Sequence, residues 1–276
     1  DLVKLYLMTE KQYRNQWLRW HSQYEKIAYR TLLKSLRGMS NDIPFDYLTD
    51  SNYNTLIRSS FKEEQFISTY YDIYKEVGII HGKRVGKQIN KQLKEFTIGS
   101  FLGMFENDLL TWLYRNSLSN IRSVQDNLVA HLQEFISNGK KDNLTTRELA
   151  KDLQKTINKK DFYRWQALRI VRTETTAAAN YASTIAADAS GVVTDKIWIS
   201  ADDSRTRKPP KSGFNHAAMN GVKVGSDEQF KVPFKGGFQL LDFPGDPKGS
   251  AANIINCRCN SALIPRRDEN GRLVFT

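Results

Sequence analysis

The chain has 276 residues, 40% of them hydrophobic and 26% charged, which is enough apolar side chain for a real core and too much for a globally disordered polypeptide. No apolar run approaches the roughly 20 residues that a membrane-spanning helix needs, and Asp1-Leu2-Val3-Lys4 is not a basic-then-apolar leader, so neither a membrane span nor a signal peptide is expected. The net charge of +11 favours polyanionic partners such as nucleic acid, with solubility as the other explanation. It is spread as +7 over residues 1–168 and +4 over 169–276, so no basic tail concentrates it.

Proline and glycine divide the chain. Pro44 is the only proline before residue 200 and six follow it, so the first two-thirds read as helical and the last third as strands and loops. Residues 5–36 and 101–135 predict long helices rich in aromatics, among them Trp17, Trp20 and Trp112, forming a bundle or an extended arm. Between them Lys83, Lys87, Lys91 and Lys94 fall on one helical face, with Val85, Ile89, Leu93 and Phe96 on the other. That lysine stripe is either a solvated face or one aimed at DNA or an acidic partner.

Residues 138–143 predict a linker, which separates a helical region at 1–140 from a second domain at 141–276. Thr145 with Glu148 is a capping-box pattern that starts a helix through Ile157. A second helix is predicted over 161–190, stopped by Gly191 and on the order of 40 Å long. Its face Ile170, Glu174, Ala177, Tyr181, Ile185 sets a carboxylate in an apolar stripe. Burying that group alone costs several kcal/mol, so a cationic or hydrogen-bonding partner is expected, an arginine first. Residues 192–200, 229–234 and 254–264 predict strands, 202–205 a turn, and 268–271 the turn of a terminal hairpin. The fold class is α+β: a mostly helical N-terminal region, then a small α+β domain with a long helix packed on a short antiparallel sheet.

In order, the C-terminal part reads Arg169-Ile170-Val171-Arg172-Thr173-Glu174, Asn180, Trp198, Asp203-Ser204-Arg205-Thr206-Arg207, His216 through Gly221, Phe230, Pro244-Gly245-Asp246-Pro247 and Asn256-Cys257-Arg258-Cys259. Each piece is weak alone. Together and in this order, over about residues 145–264, the set resembles the phage head-morphogenesis family, also called phage Mu protein F-like. The resemblance implies a minor capsid protein without enzymatic activity or cofactor. It implies association with the portal protein, with the major capsid or scaffolding protein and packaged double-stranded DNA as further partners. It places the protein in the virion, inside the capsid near the portal, and in the host cytoplasm during assembly. Many relatives carry a Cys-x-x-Cys pair ahead of the histidine, which with the terminal cysteines could bind zinc. Here residues 207–215 hold no cysteine, so His216, Cys257 and Cys259 make only three of the usual four ligands. The two cysteines, too close for an unstrained bridge, are expected as reduced, small buried residues on one face, with Arg258 turned the other way.

The motif residues Arg172, Glu174, Asp203, Arg205, His216, Asn256 and Arg258 are expected to lock the fold. Glu174 would pair with Arg205 or Arg258, and Asp203 with Arg172 or Arg207. Loss of Glu174 would then strand a buried arginine, at roughly 3–5 kcal/mol. Two alternatives stand beside the head protein. One is a sequence-nonspecific DNA-binding module using Lys83, Lys87, Lys91 and Lys94 with Arg207, Lys208 and Lys211. The other is a nuclease-like enzyme using His216 for proton transfer and nearby arginines for phosphate. Gly82-Lys83-Arg84-Val85-Gly86-Lys87 is one residue short of a P-loop and lacks the following Ser or Thr.

Overall fold

The computed structural model describes residues 8–93, 97–142, 144–157, 159 and 161–276. At its centre is helix α7 (Arg164–Asp188), in which every residue from Thr173 to Ser183 is buried. Its composition permits this. Ala177, Ala178, Ala179, Ala182 and Ala186 let neighbours approach closely. The hydroxyls of Thr173, Thr175 and Ser183 donate to the carbonyl four residues back, so polar side chains enter the interior with their protons satisfied.

Helices α1 (Glu10–Asn41) and α3 (Glu63–Leu93) lie along α7 on one side. Helix α2 (Tyr53–Ser60) bridges them, and α4 (Ile98–Asn116), α5 (Leu118–Lys140) and α6 (Thr146–Ile157) complete the bundle. Gly78 and Gly82 of α3 admit the Phe105 and Phe101 rings of α4: a Cβ at either glycine would lie 2.2 or 2.0 Å from a ring carbon. Gly82, the first glycine of the near P-loop, is thus a packing device.

On the other side of α7 lies a three-stranded antiparallel sheet in the order β2 (Lys223–Gly225), β1 (Thr194–Ile199), β5 (Asn260–Pro265). Strands β3 (Phe230–Phe234) and β4 (Gly237–Leu241) form a separate hairpin, and a short helix α8 (Ala251–Ile254) precedes β5. The α+β class holds, and no helix among the described residues is long and apolar enough to cross a membrane.

Several expected boundaries move. Helix α1 begins at Glu10, where Thr9 and Gln12 form a capping box, and runs on to Asn41. The helix expected over 101–135 breaks at Ser117, which ends α4 and starts α5. Helix α5 itself continues to Lys140, which leaves little of the linker. The Thr145–Glu148 capping bonds form as expected. The terminal hairpin turns at 268–271 as expected, with the bridge Arg267↔Leu273 and the Val274 N–H on the Arg266 carbonyl at 3.0 Å, and beyond it Phe275 pairs with Val192. One core runs from Tyr13 and Trp17 through α3, α4 and α7 to Ile197, Ile199 and Leu263. The N-terminal helices are therefore a bundle on α7 and not an extended arm, and the core passes across residue 140. A second, smaller core gathers Trp198, Met219, Phe230, Val232 and Leu241 around Cys257 and Cys259.

Candidate functional site

The Asn-Cys-Arg-Cys segment lies against α7 and α1, and side chains of those helices hold its backbone. Thr173 Oγ1 accepts from the Asn256 N–H at 3.0 Å, Thr176 Oγ1 donates to the Cys257 carbonyl at 2.5 Å, and the Trp17 indole N–H donates to the Arg258 carbonyl at 2.8 Å. Asn180 Oδ1 accepts from the Ser261 N–H at 2.8 Å, while its amide nitrogen donates to the Pro244 carbonyl at 2.9 Å. Tyr13 donates to Asn260 Oδ1 at 3.0 Å. Asn256 turns the chain into this path with φ 58°, a left-handed conformation that Asn tolerates. Gly245 of the Pro-Gly-Asp loop, φ 81°, approaches α7 so closely that a Cβ would sit 2.9 Å from Thr176 Cγ2. Buried Asp246 then accepts the N–H groups of Asp242 and Lys248. The ordered motif is thus one junction, in which α7 reads the backbone of two loops.

Glu174 is buried as expected, but its partner is different. Tyr74 of α3 donates to Glu174 Oε2 at 2.8 Å, and among the described residues no arginine pairs with it. Burial raises its pKa to about 7, against the lowering effect of the Tyr74 bond. The arginines of the motif lie on a different face of α7. Glu174 also lines a cavity of about 110 Å³ between α5, α7 and α8, with Asn120, Asn127 and Arg169.

Asp203 pairs with Arg258, at 2.7 and 2.6 Å, and not with Arg172 or Arg207. Burial opposes ionisation of Asp203, yet the Arg258 bonds outweigh it and hold the carboxyl below its ordinary range. Arg258 can reach it because it points away from its two cysteine neighbours. Arg207 donates instead to the carbonyls of Ala252 and Ile255. Arg172 faces Glu25 of α1, Nε to Oε1 at 3.8 Å. Arg205 is exposed, with its backbone N–H on Asp203 Oδ1 at 3.0 Å. Burial raises the Glu25 pKa, opposed by the charges of Arg172, Arg205 and Arg258.

Glu25 and His21 escaped the sequence reading because they sit in a region without a recognisable motif; their i, i+4 spacing beside Trp17 was the only signal. His21 Nδ1 lies 3.4 Å from Glu25 Oε1, and Nε2 lies 2.9 Å from Thr176 Oγ1. Burial, reinforced by the positive charge of Arg258, lowers the His21 pKa to about 3. The order acid, histidine, hydroxyl resembles a nucleophile relay. Here, however, Thr176 gives its proton to the Cys257 carbonyl, and neighbouring Thr175 gives its own to the Val171 carbonyl at 2.7 Å. The arrangement ties α1 to α7.

His216 is buried in the second core, away from both clusters. Its Nε2 lies 2.6 Å from Asn253 Oδ1, and its Nδ1 lies 3.6 Å from each of Cys257 Sγ and Cys259 Sγ. The cysteines are both buried. Among the described residues neither Glu174 nor an unpaired arginine is found against His216, so the acid–base arrangement expected from sequence is not assembled around it.

Of the basic residues, Lys87, Lys208 and Lys211 are exposed and Lys83 is half-buried, while Val85 and Ile89 line the core as predicted. Lys94 and Phe96, and the side chains of Lys91 and Leu93, fall outside the described residues. The uncovered apolar side chains include Trp165 at the start of α7, 79% exposed, with Phe238 and Leu240 on the hairpin.

Comparison with known proteins covers the same part of the chain. Residues 126–262 match the family model described as phage Mu protein F like protein. The uncharacterized protein YqbB of Bacillus subtilis (strain 168) is 32% identical over 98 residues, covering 36% of this chain and 30% of that protein. The chain therefore spans less than a third of that relative's length. No solved structure matches.

Proposed function

Given that the chain belongs, through residues 126–262, to the phage Mu protein F-like family of phage head morphogenesis, we propose that it is a non-enzymatic minor head protein that docks at the portal vertex, inside the capsid. The ordered motif set within the matched span carries this reading. Its residues are largely spent on internal bonds: Asn180 and Thr176 hold two loops, and Asp203 holds Arg258. A module whose polar residues serve its own rigidity suits a structural part of a particle.

Contact with other head components is assigned to the apolar side chains the fold leaves open. Trp165 leads them, since exposed aromatics of this kind anchor protein interfaces. The portal protein is the proposed main partner, with the major capsid or scaffolding protein secondary. Exposed Lys87, Lys208 and Lys211 on a chain of net charge +11 support additional, sequence-blind contact with packaged DNA.

The test is to localise the protein in purified heads by cryo-electron microscopy and mass spectrometry. Density at the portal, lost together with the protein signal in heads assembled with Trp165→Asp, is the expected result. Heads devoid of the protein, or a Trp165→Asp protein incorporated normally, would overturn the placement. Binding of the purified protein to duplex DNA should weaken steeply with salt. Salt-insensitive or absent binding would remove DNA from the partners.

A further inference from the structure

The two thiols and the imidazole of the second core share one point in space. His216 Nδ1 lies 3.6 Å from both Cys257 Sγ and Cys259 Sγ, and the three donor atoms lie within 4.8 Å of one another. The proton on His216 is placed from outside the cluster. The Ser250 backbone N–H can only donate, and it meets Gln239 Oε1 at 3.1 Å. Gln239 Oε1 is therefore an acceptor, so Asn253 turns Nδ2 toward it at 2.8 Å and leaves Oδ1 for His216 Nε2 at 2.6 Å. Nε2 thus carries the hydrogen, and the Nδ1 lone pair faces the sulfurs. A histidine ligand is oriented in this way, its far N–H tied to an oxygen that is itself held.

We propose that His216, Cys257 and Cys259 bind one zinc ion. Tetrahedral zinc, with bonds of about 2.3 Å to sulfur and about 2.0–2.1 Å to nitrogen, separates S from N by about 3.6 Å. That is the spacing found for both cysteines. Each cysteine loses its proton on binding, so two protons leave for each Zn(II) that enters. The resulting set of two thiolates, a neutral imidazole and a dication has no net charge, which suits a buried apolar site. A monovalent soft ion such as Cu(I) would leave a net negative charge there. Counted from the sequence, three donors fall short of a closed structural site; the fold adds that they converge and that the histidine is already turned. The fourth position goes to a small exogenous ligand. Trp198, edge-on to His216 at 5.3 Å between ring centroids, carries a buried indole N–H that has no acceptor among the described residues.

The probe is cobalt(II), followed by zinc. Full-length protein is stripped with chelator, kept reduced and titrated. The expected result is one equivalent of cobalt, with tetrahedral visible bands and thiolate-to-cobalt charge transfer, release of two protons, displacement by zinc and a higher Tm. Cys257→Ser and Cys259→Ser should each weaken binding roughly tenfold or more. Asn253→Ala, which touches no metal, should weaken it about 10–100-fold by freeing the ring. A folded, fully reduced wild-type protein that takes up neither ion overturns the proposal, as does equal uptake by the double serine variant. If the serine variants do not fold, the wild-type titration decides alone.

Discussion

The two sides of α7 treat buried polar groups differently. Toward α1 and α3 the ionisable groups lean on neutral hydroxyls: Glu174 on Tyr74, His21 on Thr176, and His81 between Tyr24 and Ser183, both at 3.0 Å. Burial pushes His21 and His81 down to about 3 and Glu174 up to about 7. Toward the sheet, charges persist in pairs. Asp203 meets Arg258, and Asp195 meets Lys223 at 2.6 Å and Arg266 at 2.7 Å. The difference is access to water. Each ion pair on the sheet side keeps one partner partly in solvent, and so does the Arg172–Glu25 pair between α7 and α1, whereas the fully buried groups of the helix interface settle on hydrogen bonds. One rule thus holds along the helix, hydrogen bonds where water is excluded and ion pairs where it reaches, and the motif residues include both kinds.

The largest effect is expected where neither rule applies and the backbone itself is at stake. Asn180→Ala leaves the Ser261 N–H and the Pro244 carbonyl buried without a partner, each costing ~1–3 kcal/mol. A loss of about 4 kcal/mol in chemical denaturation is expected. A loss below about 1 kcal/mol would mean that α7 does not hold these loops.

Glu174→Gln sharpens the neutral side. A carboxyl with its folded pKa raised to about 7 contributes stability in acid that is lost as pH rises from its ordinary 4.5 through 7. The full span is at most about 3 kcal/mol. Glutamine keeps an acceptor for Tyr74 and does not titrate. The variant should therefore gain on the parent across that window, measured by denaturation at several pH values. Parallel curves would show that Glu174 is not buried as described. Alanine at this position takes an acceptor from a tyrosine hydroxyl and strands no arginine.

Asp203→Asn should have the smallest effect, about 1 kcal/mol, because Asp203 is 35% exposed and its pair with Arg258 is screened. The stability it contributes is present above the ordinary aspartate pKa and is lost as pH falls through its lowered folded value. High salt should shrink the difference between variant and parent. A salt-independent loss of several kcal/mol would move this pair to the buried category and erase the contrast between the two sides.

Much of the architecture was legible in local pattern. The Thr145–Glu148 capping box, the long helix ending before Gly191 and the strand around Trp198 rest on neighbours a few residues apart, and the structure keeps them. The apolar stripe through Ile170, Glu174 and Tyr181 was legible for the same reason, and it is buried. The short strands β2 and β4 were not seen, since three residues give too little alternation and Leu240-Leu241 interrupts it in β4. Sequence periodicity says that Glu174 faces inward. It does not say which helix crosses there, so the expected arginine turned out to be a tyrosine 100 residues away.

By itself, then, the sequence determined the α+β class, the order of the main elements, the inward turn of Glu174 and of the two cysteines, and the family those motifs resemble. Only the tertiary structure decided the partners. It gave Asp203 to Arg258, brought His21 and Glu25 of an unmarked helix against the arginines, and set one imidazole between two thiols. The physical reason is that a hydrogen bond depends on ångström distances between atoms whose residues are far apart in the chain. Those distances follow from how helices cross and pack, and no local pattern encodes that.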